Sequence, residues 1–316
     1  MYSQDYYTTK NTKCQALKKL EIKKRQHDYL KDFYLKAFEI SNKAAKTSIA
    51  NFSKCGDYVS IKDNKINAAF FCRQRYCPIC QWRLSLKVYH EITTIINALN
   101  DKQDYQYILM TLTVQNMDRL AEGITSVLKG FERLCKRRSV KKAFKGYLRT
   151  LEITRSEKGQ WHPHIHCIWV VDSTYWDTAY IKQQDLIHIW QECVTTEYAP
   201  NVDIRMIKGD IYKAVAEVAK YAVKPFDLEQ ELNKAEILAE LIQATYKRRL
   251  RAMGGVFKDK ARELNITLED DEQYSPFDND ASYVYYNGEY IADDIWREIM
   301  QQKENVTRQT LAKGVS

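Results

Sequence analysis

The sequence predicts an α+β protein built around an antiparallel sheet, and three observations lead to this class. Residues 107–114 alternate, with Ile108, Met110, Leu112 and Val114 on one face of a strand. The strand-like stretches 147–155 and 161–171 are joined by a short polar loop containing Gly159, which is typical of an antiparallel hairpin. Between and after the strands, residues 118–139, 178–193 and 211–224 read as helices.

Composition limits the protein's class. The chain has 316 residues, of which 45% are hydrophobic, enough for a packed core. It has no apolar run long enough to cross a bilayer and no apolar signal segment near Met1, so we expect a cytoplasmic protein. Lys and Arg total 49 against 41 acidic residues, a net charge of +8 that is weak evidence for a polyanionic partner by itself.

The N-terminal third is expected to hold a helical extension, residues 1–50, and a cysteine-rich module with a helix, residues 51–100. In the module, residues 59–61 and 68–71 suggest two short strands, and 81–100 suggest a helix. The strands lie between cysteines, as in a zinc ribbon. Four cysteines form the group: Cys55, Cys72, Cys77 and Cys80.

These cysteines predict a structural zinc site. Cys77 and Cys80 form a Cys-x-x-Cys turn, which brings two thiolates to one tetrahedral ion, and the other two complete a four-cysteine set. A disulfide is the first alternative, and the cytoplasmic setting argues against it. A redox Cys-x-x-Cys pair is the second, and the two additional cysteines favour zinc over it.

The stretch 161–171 carries the most informative motif. His164 and His166 are two residues apart in a β-branched and aromatic stretch, so in a strand both point to one face. Pro163 is expected at the strand start, which leaves His162 outside the strand. If Arg155 pairs with Trp161 in the hairpin, Glu152 lies opposite His164 on the same face.

Two histidines and a carboxylate form a candidate metal site. With open positions, this set suits Mn²⁺ or Mg²⁺ binding a phosphate, although imidazoles also accept Zn²⁺. Glu157 is the alternative carboxylate, but it lies in the polar loop. The other explanation of the alternating histidines is a chance polar strand face, which the opposed Glu152 makes weaker.

Further along, helices are predicted at 178–193 and 211–224, with a strand at 202–207 between them. On the second helix, one face of about 100° is polar and the opposite face is apolar, suited to packing on a sheet. Its polar face combines a phenol, a carboxylate and three amines: Tyr221, Glu217, Lys213, Lys220 and Lys224. The phenol can act as a nucleophile, the lysines can hold a phosphate, and Glu217 can act as a base.

A catalytic core is therefore expected over residues 101–226, followed over 227–316 by a basic helical segment and an acidic, tyrosine-rich tail. We expect a long helix at 229–251, ended by Gly254-Gly255, and a hairpin around Asn287-Gly288. The last fifteen residues are expected to be loosely ordered. Basic clusters supply candidate DNA contacts, although each alone also fits a solvated helix face: Arg137, Arg138, Lys141, Lys142, Arg248 and Arg249.

Three motifs then stand in a fixed order: Leu109-Met110-Thr111-Leu112-Thr113, His164-Ile165-His166, and the segment from Glu217 to Lys224. Together with Arg75-Tyr76-Cys77-Pro78-Ile79-Cys80 and Gly254 to Lys258, they make the chain resemble the rolling-circle plasmid replication initiators, which are HUH endonucleases of the single-tyrosine class. The resemblance runs from about Cys55 to Leu264.

The resemblance implies a core with an antiparallel sheet of about five strands flanked by helices. It also implies that His164, His166 and Glu152 bind the divalent metal and that Tyr221 attacks a DNA phosphodiester at the double-strand origin. A 3′-hydroxyl is then freed as primer, and the same site can rejoin the strand, with Glu217 activating water in the closing cleavage. Single-stranded and supercoiled origin DNA, a host helicase and a host polymerase are the implied partners.

Three alternatives remain. A related HUH transposase or relaxase shares the chemistry, and the size, the cysteines and the Glu217/Tyr221 pair favour the initiator over it. A zinc-containing DNA-binding repressor would use the histidines only structurally. A metal phosphoesterase would hydrolyse through water and would not need Tyr221.

Overall fold

The structure is a computed structural model, and it describes residues 13–43, 46–219, 233–268 and 282–313. Elements are numbered in chain order. The helices are α1 Gln15–Ser41, α2 Lys46–Ser53, α3 Pro78–Asn100, α4 Leu120–Lys136, α5 Arg138–Ala143, α6 Tyr175–Thr178, α7 Gln183–Val194, α8 Ile211–Ala219, α9 Lys234–Thr245, α10 Val256–Glu263 and α11 Asp293–Lys313. The strands are β1 Tyr58–Lys62, β2 Lys65–Ala69, β3 Tyr105–Thr113, β4 Gly146–Arg155, β5 Trp161–Asp172, β6 Val202–Met206, β7 Arg251–Gly255, β8 Ser282–Tyr286 and β9 Glu289–Ala292.

The described residues form two compact units. The first contains residues 13–35, 46–81 and 282–313, and the second contains 36–43, 82–219 and 233–268. None of the described helices is both long and apolar enough to cross a membrane.

The first unit contains a four-stranded sheet in the order β2-β1-β8-β9. The hairpin expected at Asn287-Gly288 is present, and both residues have positive φ, as a tight two-residue turn requires. The expected strand at 68–71 was wrong at its end, because β2 stops at Ala69. Helix α11 continues to Lys313 after an acidic first turn that suits the helix dipole, and residues 314–316 lie outside the described residues, so the loosely ordered C-terminus stays a prediction.

The second unit contains the five-stranded antiparallel sheet, in the order β6-β3-β5-β4-β7. The fold-class prediction is confirmed: the protein is α+β with a five-stranded antiparallel sheet, flanking helices and a separate cysteine cluster. The central strand β5 pairs with β3 and β4 along most of its length. Its two neighbours and its buried faces make it the most constrained strand of the sheet.

Helices cover both faces of this sheet. On one face, residues of α3, α8 and α10 bury Leu148 of β4 and Ile168 and Val170 of β5. On the other face, Phe131 of α4 packs its ring on Trp169 at 5.7 Å. Side chains alternate along a strand, so Glu152, His164 and His166 lie on the face of α3, α8 and α10.

The prediction of one long helix at 229–251 was wrong for the C-terminal part of that segment. Helix α9 ends at Thr245, and residues from Arg251 to Gly255 form β7 beside β4. The two glycines permit close strand packing and do not end a helix. A Cβ on Gly254 would lie 2.3 Å from Tyr147 Cε1, and one on Gly255, where φ is +56°, would lie 2.1 Å from the Lys145 carbonyl oxygen.

Candidate metal centre and active site

The hairpin of β4 and β5 brings three potential metal ligands together. Arg155 pairs with Trp161 and Glu152 with His164, so the expected register is present. Glu152 Oε2 lies 2.8 Å from His166 Nε2 and 3.4 Å from His164 Nε2. The three side chains form one group that can hold a metal ion. Glu157, the alternative carboxylate, is exposed and is not part of this group.

The expected start of the histidine strand was wrong. Strand β5 begins at Trp161 and includes both His162 and Pro163. Trp161 exchanges two backbone hydrogen bonds of 2.8 Å with Met117 on the β3 side. Because β3 ends at Thr113, opposite His164, no β3 residue pairs with Pro163, and its missing amide donor leaves the ladder intact.

Both histidine rings are held at their Nδ1 atoms. His166 Nδ1 lies 3.0 Å from Thr111 Oγ1, and His164 Nδ1 lies 3.1 Å from the carbonyl oxygen of His162. A carbonyl only accepts, so His164 donates from Nδ1. With Thr111 accepting in the same way, the Nε2 atoms of both rings face Glu152, where they donate to its carboxylate when protonated and offer lone pairs to a cation when not.

Electrostatics at this site favour a bound cation. Burial alone would raise the pKa of Glu152, but hydrogen bonds and charge from His164 and His166 outweigh burial and hold that pKa well below its usual range. The carboxylate is therefore ionised. In the unprotonated site, one carboxylate oxygen and two imidazole lone pairs converge, an arrangement that a divalent cation stabilises. Burial lowers the pKa of the neighbouring His162.

The first unit holds the second candidate metal group. Cys55, Cys72, Cys77 and Cys80 are all buried, and their sulfur atoms lie within 4.8 Å of one another. Nearest Sγ–Sγ distances are 3.6 to 3.7 Å, far from the roughly 2.05 Å of a disulfide. The four thiols converge in the arrangement of a metal site.

The cysteine group also requires charge compensation. Burial raises the pKa of the Cys77 thiol, whereas hydrogen bonds from Cys55, Cys72 and Cys77 lower the pKa of Cys80. Cys80 is therefore the thiol of this group whose pKa favours the thiolate. Four thiolates in this buried place need a cation to offset their charge.

Helix α8 packs on the same sheet face as the histidines. Val215, Val218 and Ala219 are buried, as expected for its apolar side. Thr150 of β4, which pairs with His166, donates a hydrogen bond of 2.8 Å from Oγ1 to the carbonyl oxygen of Val218. The end of the described helix is therefore fixed beside the candidate metal group.

Two of the polar residues expected on this helix lie within it. Lys213 is exposed and Glu217 is half-buried. Tyr221, Lys220 and Lys224 lie outside the described residues.

The basic residues fall in two places. Arg138, Lys141 and Lys142 are exposed on α5, directly before β4, and Arg137 forms a 2.7 Å ion pair with Glu192. Gly146 at the start of β4 precedes Glu152 by six residues, about 20 Å along a strand.

The second basic cluster had been expected on a helix. It lies instead in the connection to β7, beside Glu152. The carbonyl oxygen of Leu250 accepts the amide of Leu151 at 2.8 Å, and Arg251 pairs with Thr150. Arg249 is exposed, while Arg248 is half-buried and donates to Thr125 Oγ1 at 2.9 Å.

Sequence reasoning did not identify Thr111 or Thr150 individually. Thr111 of β3 and Thr150 of β4 both pair with His166, one from each side of β5. The alternation of side chains along β3 and β4 therefore puts one threonine of each strand on the same sheet face as the histidines.

The sheet, the three-residue metal group on its central hairpin and the separate cysteine group define the class of the HUH nucleases. Residues 63–283 match the model of a protein family described as "Replication protein". The chain belongs to this family, the rolling-circle plasmid replication initiators.

Curated relatives are similar over most of the chain. "Protein rep" of Streptococcus pneumoniae serotype 2 (strain D39 / NCTC 7466) is 32% identical over 252 residues, which cover 74% of this chain and 78% of that protein. "Protein rep" of Bacillus amyloliquefaciens is 33% identical, covering 68% and 72% of the two chains. "Protein rep" of a Bacillus sp is 34% identical, covering 67% and 79%. No solved structure gives a significant match. The protein is thus a plasmid replication initiator that binds origin DNA and acts as a nicking endonuclease.

Proposed function

We propose that the protein nicks one strand at the double-strand origin by attack of Tyr221 on a phosphodiester placed at Glu152, His164 and His166. The convergence of these three side chains, whose ligand atoms lie within 4.8 Å of one another, carries the proposal. A phosphorus–oxygen bond forms to the tyrosine while the bond to the 3′-oxygen breaks, and that oxygen takes up a proton. The products are a 5′-phosphotyrosine and a 3′-hydroxyl primer.

Glu152, His164 and His166 would hold the divalent ion. With metal–ligand distances of about 2.1 Å, adjacent ligands of an octahedral ion lie about 3.0 Å apart, and the ligand atoms here lie 2.8 and 3.4 Å apart. Mn²⁺ or Mg²⁺ fits this donor set. The ion would polarise the phosphodiester and stabilise its developing charge.

The position of α8 supports Tyr221 as the nucleophile. Its last described turn is held against β4 by the bond from Thr150 to Val218, three residues before Tyr221. The chain therefore leaves the described helix beside His166. Lys220 and Lys224, which flank the tyrosine in sequence, would pair with phosphates of the bound strand.

Glu217 would act in the closing cleavage. As a half-buried carboxylate four residues before Tyr221 in sequence, it would accept a proton from water when the strand is released at termination. The bond energy of the first cleavage is retained in the phosphotyrosine, so the same centre can rejoin the strand.

The cysteine group would hold structural Zn²⁺. Four sulfurs at about 2.3 Å from one zinc ion lie about 3.8 Å apart at a tetrahedron's edges, close to the observed 3.6 to 3.7 Å. We assign the zinc module with its helix to residues 51–100, between a helical extension at 1–50 and the nicking core at 101–226. Residues 227–316 would add DNA contacts through the basic segment ahead of the tail.

The basic residues and the primer imply the remaining partners. Seven basic residues would contact origin DNA: Lys213, Arg137, Arg138, Lys141, Lys142, Arg248 and Arg249. A host helicase and a host polymerase would unwind the nicked duplex and extend its 3′-hydroxyl.

A denaturing gel tests the chemistry. Purified protein is incubated with Mn²⁺ or Mg²⁺ and supercoiled plasmid carrying its gene and flanking DNA, and the digested DNA is examined for protein on a 5′ end. We expect an adduct that disappears in Tyr221→Phe. Tyr212→Phe is the control, since Tyr212 lies on α8 and its hydroxyl donates a hydrogen bond of 2.8 Å to Asn97 Oδ1. Nicking without an adduct would contradict the tyrosine mechanism and indicate hydrolysis by water.

A further inference from the structure

We propose that the exposed loop 246–249, together with Lys43, binds single-stranded DNA next to the metal centre, with Tyr246 stacked on an unpaired base. The inference rests on the proposed nicking function, because it places the strand that leads to the scissile phosphate. It adds a site for an unpaired base, on Tyr246, to a loop whose Arg248 and Arg249 are proposed above only as contacts to origin DNA.

The loop lies beside the metal-binding carboxylate. It connects α9 to β7, and Leu250 at its end accepts a hydrogen bond from the amide of Leu151, the residue before Glu152. Tyr246 is four residues from Leu250, so a fully extended chain would place its Cα at most about 14 Å away. A strand of DNA crossing the metal centre therefore passes within reach of this loop.

Tyr246 has the surroundings of a base-stacking residue. Its side chain is 46% exposed, although aromatic rings are usually covered. The ammonium groups of Lys43 and Lys247 lie 5.5 and 5.4 Å from the ring centroid. An exposed aromatic face with cations beside it matches a nucleotide, whose base stacks while its phosphate meets the charge.

The loop is held in a fixed shape. Lys247 has φ of +55°, a left-handed conformation that is uncommon for a residue with a side chain. Arg248 fastens the loop to α4 through its 2.9 Å bond to Thr125. A ring held in place loses little freedom on binding, which favours stacking.

Charge identifies the partner as nucleic acid. From Thr245 to Met253 the sequence contains four cations and no carboxylate: Lys247, Arg248, Arg249 and Arg251. The stacking face distinguishes single strands from duplex, because bases in a duplex are already stacked on one another. The loop therefore suits the unpaired strand at an open origin.

Fluorescence anisotropy with a labelled oligothymidylate, without added divalent cation, tests the site. Stacking contributes about 1–3 kcal/mol per base, so Tyr246→Ala should raise Kd roughly 5- to 150-fold. Tyr246→Phe keeps the ring and should stay within about twofold of the native protein. Tyr180→Ala is the matched control, since Tyr180 is 50% exposed but follows the far end of β5, and its Kd should not change.

Three results would overturn the inference: native affinity in Tyr246→Ala, a loss in Tyr246→Phe equal to that in Tyr246→Ala, or an equal loss for a duplex of the same length. Thermal melting of each variant separates binding from folding. The adduct gel keeps the two proposals apart. Native affinity in Tyr246→Ala with adduct formation intact refutes this site alone, while absence of the adduct in native protein refutes the nicking proposal and leaves the binding result standing.

Discussion

Replacing Thr111 by valine should weaken the divalent metal site without removing a ligand. Valine has nearly the shape of threonine but no hydroxyl, so it leaves His166 Nδ1 without its partner at 3.0 Å. The ring can then rotate or change tautomer, and its Nε2 lone pair is no longer held toward Glu152. His164 should be unaffected, because its Nδ1 partner is the backbone carbonyl of His162.

The size of the effect follows from the contact of the Thr111 hydroxyl with the His166 ring, and not with the ion itself. Losing an outer hydrogen bond to a ligating histidine typically lowers metal affinity 10- to 100-fold, about 1.4 to 2.8 kcal/mol. The upper part of this range is expected here, since only 16% of the His166 side chain is exposed and water replaces the lost acceptor poorly. The defect should be overcome by raising the Mn²⁺ concentration.

Calorimetric titration with Mn²⁺ measures the affinity, and nicking across a Mn²⁺ series measures the consequence. Thr111→Ser keeps the hydroxyl and should restore most of the affinity. Thr113→Val is the matched control. Thr113 lies on β3 like Thr111 and pairs with His164 of β5, but its hydroxyl donates to the carbonyl oxygen of Asn201. Native Mn²⁺ affinity in Thr111→Val, or the same loss in Thr113→Val, would refute the reasoning.

Three further outcomes are expected. Cys77→Ser should lose the metal of the cysteine group by elemental analysis and melt at a lower temperature, while Cys14→Ser should keep it; full metal content in Cys77→Ser would argue against a four-cysteine site. Gly255→Ala should lower the free energy of unfolding in urea by about 1–3 kcal/mol or more, since its Cβ meets the Lys145 carbonyl oxygen. Gly209→Ala also puts a Cβ at positive φ, +80°, but meets nothing within 4 Å, so it should cost only the backbone strain of about 1–2 kcal/mol and less than Gly255→Ala; equal losses would exclude the packing argument. Glu217→Ala should retain the first nick but yield less terminated circular product; equal loss of both would contradict its proposed role.

The sheet was predictable where local pattern and pairing agree. Alternation predicted the faces of β3, and the short polar loop predicted the hairpin of β4 and β5. The register assumed for this hairpin, with Glu152 opposite His164, is the one observed. Strand β7 was not predictable in the same way. Its Gly254 and Gly255 look like the end of a helix locally, and only the nearness of Tyr147 and Lys145, about one hundred residues earlier, explains them.

The convergence of Glu152, His164 and His166 was predictable, and the residues around them were less so. Side-chain ligands of transition metal ions are mostly His, Cys, Asp or Glu, so few residues compete for the role, and spacing reduces them further. Positioning residues such as Thr111 and Thr150 are common amino acids whose importance depends on which strand they face. Pro163 shows the converse limit, because its effect on β5 depends on where the neighbouring strand ends.

The placement of the candidate site explains how the sheet holds its three potential ligands together. Its ligands lie on a hairpin whose second strand is central, and the same sheet face is buried a few residues further on by α3, α8 and α10. The ligands are therefore fixed by the core. Helix α8 is part of that core, and the Thr150 bond joins its end to the strand that carries Glu152. A shift of this helix would therefore stretch the Thr150 bond and disturb the sheet face that carries the three candidate ligands.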